Sequence, residues 1–108
     1  MFGLGDPKGA VACFRKATEM KADNTEAWFN LGQCLKELGD RPGAIAAMRT
    51  AVRCRPQSAQ AHAVLGELLA GESRWEEAIA CLRTAAQLAP EDEVTRQRLD
   101  VLINQNRE

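Results

Sequence analysis

The 108-residue sequence lacks most of what an enzyme, a membrane protein or a secreted protein would need. No apolar run approaches the roughly 20 residues that span a bilayer, so no membrane association is expected. The opening Met-Phe-Gly-Leu-Gly-Asp has neither the basic nor the apolar region of a secretory signal. A formal net charge of −1 leaves no long-range field to gather phosphates, which excludes nucleic acid as an expected partner. There is no Gly-rich phosphate loop, no metal-spaced His/Cys set and no nucleophile elbow, and His62 is the only histidine. No catalysis, metal or cofactor is therefore expected. The four cysteines, Cys13, Cys34, Cys54 and Cys81, stand far apart with no C-x-x-C pair. With 45% hydrophobic residues available for a core, reduced thiols in the cytoplasm suit the chain better than a disulfide framework.

What is present is a repeat. Shifting the sequence by 34 residues superposes Ala10, Ala44 and Ala78, and likewise Val11, Ile45 and Ile79. Phe14, Met48 and Leu82 coincide, as do Ala17, Ala51 and Ala85. Trp28-x-x-Leu31-Gly32-x-x-Leu35 is echoed by His62-x-x-Leu65-Gly66-x-x-Leu69, and Pro56 and Pro90 share a phase. The small residues Gly32, Gly66, Ala44 and Ala78 stand where two helices must approach closely. Glycine inside a helix costs about 0.5–1 kcal/mol relative to alanine, so its recurrence implies a packing reason.

The start and stop signals agree. Asn24, Ser58 and Asp92 are N-cap residues for the first helix of each pair, while Asp40 and Ser73 are expected to cap the second. Pro42 fits a first-turn position, and Pro56 and Pro90 follow helix ends. The spacing predicts helices over 7–21, 25–38, 41–54, 59–71, 74–88 and 93–105.

These motifs resemble the tetratricopeptide repeat (TPR) family, whose pattern is Trp-x2-Leu-Gly-x2-Tyr, Ala-x3-Phe and Pro on a 34-residue period. The resemblance covers nearly the whole chain. Leu35 and Leu69 replace the tyrosine, and His62 replaces one tryptophan. It implies an all-α fold, a right-handed superhelical array of antiparallel helix pairs. Residues 1–108 are expected to form one domain. That domain would comprise an unpaired B-type helix at 7–22, repeats at 25–58 and 59–92, and a capping helix at 93–106. The last helix departs most, with Arg96 at the tryptophan position and Asp100 at the glycine position. Its apolar stripe is Val94, Leu99, Leu102 and Ile103.

The resemblance also implies function: a scaffold or adaptor binding a peptide or helix of another protein in a groove lined by the first helix of each pair. Carried over position by position, that face holds Glu26, Phe29, Asn30, Gln33 and Lys36. The second repeat adds Gln60, Ala63, Val64, Glu67 and Ala70, and the last helix adds Gln97, Arg98 and Val101. Phe29 reads equally as an aromatic anchor for a partner and as a partly buried packing residue. Some family members grip a C-terminal carboxylate with lysine, asparagine and arginine. Only Asn30 and Arg98 match that set, and the lysines are absent.

Arg15, Arg49 and Arg83 recur at one position, as an acidic docking strip would require or, more simply, as a solvated face. His62 is expected to be packed or hydrogen-bonded, and Cys54 to be a bystander thiol. Residues 2–6 align with the close of a first-type helix, and Arg107 falls in phase with Gly5. Homo-oligomerisation through unpaired terminal helices is therefore the alternative expectation, as a segment of a longer array.

Overall fold

The computed structural model describes residues 7–106. Among them are six helices and no strand: α1 (Pro7–Met20), α2 (Thr25–Glu37), α3 (Arg41–Cys54), α4 (Ala59–Gly71), α5 (Trp75–Leu88) and α6 (Glu93–Asn106). The helix ends expected from the spacing each lie within one residue of the observed ones, while the bound of 22 given to the first helix by the repeat layout overshoots α1 by two residues. The chain-end argument from residues 2–6 and Arg107 falls outside the described residues. No helix among the described residues is long and apolar enough to cross a membrane.

The helices start where side chains can satisfy their orphan N–H groups. The Ala27 N–H donates to Asn24 Oδ1 at 3.1 Å, that of Gly43 to Asp40 Oδ1 at 3.0 Å, and that of Ala61 to Ser58 Oγ at 3.2 Å. Pro42 sits in the first turn of α3, where its missing N–H costs nothing.

The chain divides between Pro56 and Gln57 into two compact units. In the first, α2 packs against both α1 and α3; in the second, α5 packs against both α4 and α6. Turns of three residues join α2 to α3 and α4 to α5, which makes each of those pairs antiparallel. The two cores use the same repeat positions. Ala44 and Met48 are fully buried in the first unit, and Ala78 and Leu82 in the second. Leu31 and Leu35 correspond likewise to Leu65 and Leu69, all buried.

The recurrent glycines sit at the closest approaches. A methyl added at Gly32 would stand 2.8 Å from Met48 Cε. One added at Gly66 would stand 2.8 Å from Leu82 Cγ and 3.2 Å from the Ala78 carbonyl oxygen.

One expected cap is corrected. Ser73 does not cap α5; the N-cap residue is Arg74, with no side-chain capping bond. Ser73 instead takes a left-handed φ of 60°, as Gly39 does at 84° one repeat earlier. Both residues close the same turn. Gly39 N–H bonds to the Lys36 carbonyl and Asp40 N–H to Leu35; Ser73 N–H bonds to Ala70 and Arg74 N–H to Leu69. This is the Schellman C-terminal motif, whose αL residue is usually glycine. The 34-residue shift pairs Ser73 with Gly39 and Arg74 with Asp40, so geometry follows repeat position rather than the residue's own capping preference.

A second device also recurs with altered chemistry. Trp28 Nε1–H donates to the Ala22 carbonyl, six residues back, at 2.7 Å. Arg96, at the same repeat position, donates from a guanidinium nitrogen to the Pro90 carbonyl, again six residues back, at 3.2 Å. The departure from the family pattern at Arg96 thus keeps the staple between a first-type helix and the loop before it. Cys54 is also tied to that loop in the first unit: its thiol donates to the Ala22 carbonyl at 3.7 Å.

Asp92 caps α6. The Thr95 N–H donates to Asp92 Oδ1 at 3.3 Å and the Thr95 hydroxyl to Oδ2 at 2.8 Å. These bonds, the hydroxyl's first, hold the Asp92 carboxyl below its ordinary pKa. Because the folded value is depressed, the cap stabilises α6 above the unfolded-state value of about 4 and is lost as pH falls through the lower folded value. Amide exchange at Thr95 and its neighbours is expected to accelerate on acidification below about pH 4, measured by NMR against an unfolded-peptide reference. Asp92→Asn, which still accepts the bond but does not titrate, is expected to remove that step.

Candidate functional site: an apolar cleft spanned by an ion pair

The groove expected from the repeat positions divides between the two units. On α2 of the first unit, Glu26 and Lys36 are exposed while Phe29, Asn30 and Gln33 are half-buried. On α4 of the second, Gln60 is exposed, and Ala63, Val64, Glu67 and Ala70 are half-buried. Gln97, Arg98 and Val101 are exposed on α6.

Five of these residues meet in the second unit. Glu67 and Ala70 from α4 face Gln97, Arg98 and Val101 from α6 across an open cleft of about 400 Å³. Leu82 from α5, with Val94 and Leu102 from α6, completes the lining. Leu82 and Leu102 are buried, whereas Val94 and Val101 are 55% and 52% exposed. The cleft follows from helix geometry: residues 94, 97, 98 and 101 recur at three- and four-residue spacing and so share one face of α6. The volume lies within the roughly 300–1,000 Å³ typical of ligand pockets.

One charged contact crosses the cleft. The Arg98 guanidinium is ion-paired with the Glu67 carboxylate, their side chains 49% and 31% exposed. Apart from Glu67, Arg98 and the neutral Gln97, the lining is hydrocarbon. Gln60, Ala63 and Val64 do not line the cleft, and the five α2 residues belong to the other unit.

Position reasoning missed Val94, Leu82 and Leu102 as lining residues. Val94 was legible: it lies 34 residues beyond Gln60 and 68 beyond Glu26, both groove positions. Its place in an apolar stripe with Leu99 and Ile103 pointed instead to cap packing.

Elsewhere the polar groups serve local structure. Burial, with a smaller contribution from Glu37, pushes the Cys34 thiol pKa up, which favours its neutral form. His62 is half-buried, and Arg15 and Arg83 are exposed. Among the described residues no three His, Cys, Asp or Glu side chains gather where they could hold a metal ion.

Two tetratricopeptide repeat models match the chain, one over residues 1–68 and one over residues 59–92, and the chain belongs to that family. No curated protein matches it significantly. Solved structures resemble it closely. The crystal structure of MamA superposes with a TM-score of 0.89 at 24% identity, over 94% of this chain and 59% of MamA. The Yersinia enterocolitica type III secretion translocator chaperone SycD gives 0.88 at 18% identity, over 96% of this chain and 77% of SycD. The first TPR of Spaghetti (RPAP3), bound to the HSP90 peptide SRMEEVD, gives 0.91 at 17% identity, over 96% of this chain and 82% of that one. At these identities the likeness is one of fold.

Proposed function

We propose that the chain is a protein-interaction module whose second unit holds a peptide or helix of a partner protein in the cleft between α4 and α6. The observation that carries this reading is the pair Val94 and Val101, each more than half exposed beside a pocket of about 400 Å³ that ends on buried Leu82. Apolar side chains held open on a packed helix, next to room for another side chain, suit an anchor from outside. The family and the peptide-bound Spaghetti TPR support the same class of role. Phe29, Asn30 and Gln33, with Glu26 and Lys36, offer a second patch on the first unit for the same task. The reading assigns no catalytic step to the chain.

With so small a contact area, affinity on the order of micromolar is expected. The test selects binders from a random displayed peptide library on the immobilised protein, then measures each on wild type and Val101→Asp by calorimetry. A charge at Val101 is expected to weaken binding at least tenfold, about 1.4 kcal/mol. Because Val101 is exposed, the far-UV circular dichroism should not change. Peptides that bind both proteins alike would move the site off this cleft.

A further inference from the structure

We infer that Glu67 sets the specificity of the cleft: as the internal ligand of Arg98, it makes the site select an uncharged apolar side chain and reject a carboxylate. The inference rests on the docking reading above and adds the chemistry of the occupant.

An arginine at the mouth of an apolar cleft is the group a partner's carboxylate would seek, because its planar fork of donors matches two carboxylate oxygens. Here the guanidinium is already paired with a carboxylate of the chain itself. Glu67 reaches from α4 to Arg98 on α6, and the two side chains together leave the lining with no net charge. An incoming carboxylate has to displace Glu67 from Arg98 and then lie beside the displaced negative charge. A neutral apolar side chain meets Ala70, Leu82, Val94, Val101 and Leu102 without disturbing the pair. The cleft thus carries one arginine and neutralises it with the chain's own glutamate.

The charge change alone gives a sharp test, because Glu67→Gln keeps the shape of the side chain while releasing Arg98. Two probes suffice: the blocked peptide acetyl-Ala-Leu-Ala-Leu as its C-terminal amide and as its free acid. Binding is read from the methyl NMR signals of Val94, Val101 and Leu102. Wild type is expected to bind the amide at least fivefold more tightly than the acid. In Glu67→Gln the acid should bind as tightly as the amide or better.

Arg98→Gln leaves Glu67 unpaired and supplies an independent arm: its preference for the amide should exceed that of wild type. Equal affinity for acid and amide in wild type, unchanged by either substitution while the cleft signals still move, would overturn the inference and leave the docking reading standing. Cleft signals that neither peptide moves in any of the three proteins would remove the docking reading, and this inference with it.

Discussion

Gly66→Ala is expected to lower the unfolding free energy by about 2 kcal/mol, whereas Gly32→Ala changes it by less than about 0.5 kcal/mol. The two glycines occupy the same repeat position, so the pattern alone assigns them equal weight. Their surroundings differ. The new methyl at Gly32 would press on Met48 Cε, the free end of an unbranched side chain that can swing aside. At Gly66 it would press on Leu82 Cγ, a branch point, and on the Ala78 carbonyl oxygen, which belongs to the backbone of α5. Met48 and Leu82 are both buried, so the difference lies in what each can do in place. The thioether can rotate about its several torsions, whereas a branch point and a backbone oxygen can yield only if α5 shifts.

Overpacking of this kind costs about 1–3 kcal/mol, against which alanine recovers about 0.5–1 kcal/mol of helix propensity at either site. Propensity and strain therefore nearly cancel at Gly32, and strain wins at Gly66. Urea unfolding followed by circular dichroism reads the difference. Equal losses at the two sites would show that Met48 is held as rigidly as Leu82.

The second large effect runs the other way. The double substitution Ser73→Gly with Arg74→Asp is expected to raise the unfolding free energy by about 1–2 kcal/mol, because it copies the Gly39-Asp40 pair into the later repeat. Serine at a φ of 60° carries a steric cost that glycine does not. Aspartate at position 74 can accept the N–H bond that Asp40 accepts from Gly43 and that α5 lacks. The change gives up the ion pair between Arg74 Nε and Glu77 Oε1, at 3.1 Å. Both partners are about half exposed, so that loss is only about 0.2–1 kcal/mol. Thermal unfolding of the two single variants and the double would apportion the gain, with Ser73→Gly alone expected to deliver about half. No gain from Ser73→Gly would mean that the unfolded chain's greater freedom with glycine offsets the relieved strain.

These two sites also mark how much of the molecule was legible in its sequence. Helix positions, the buried faces and the close approaches at Gly32 and Gly66 follow from a repeat in which each residue type has one physical task. The error at Ser73 arose because serine is a good N-cap in isolation, and capping preference was set above repeat position. Arg96 looked like a lost tryptophan because the pattern records residue identity, while the bond to the preceding loop is made by an indole at Trp28 and by a guanidinium at Arg96.

The cleft was half legible. Glu67, Gln97 and Arg98 came from position, but the contact between Glu67 and Arg98 joins α4 to α6 across 31 positions of sequence. No local pattern reports such a pair. Val94 was obscured because an apolar residue on a terminal helix reads first as packing, and only the lining of the cleft shows the side chain standing open beside a pocket.

The staple at Trp28 has a practical consequence. The chain contains two tryptophans, and Trp28 falls in the first unit while Trp75 falls in the second. Each unit therefore carries a single intrinsic fluorophore. The indole of Trp28 is bonded to the Ala22 carbonyl, so its emission reports whether the loop before α2 is still fastened. With phenylalanine at position 75, Trp28 becomes the sole emitter, and the opening of one half of the chain can be timed optically without attaching a dye.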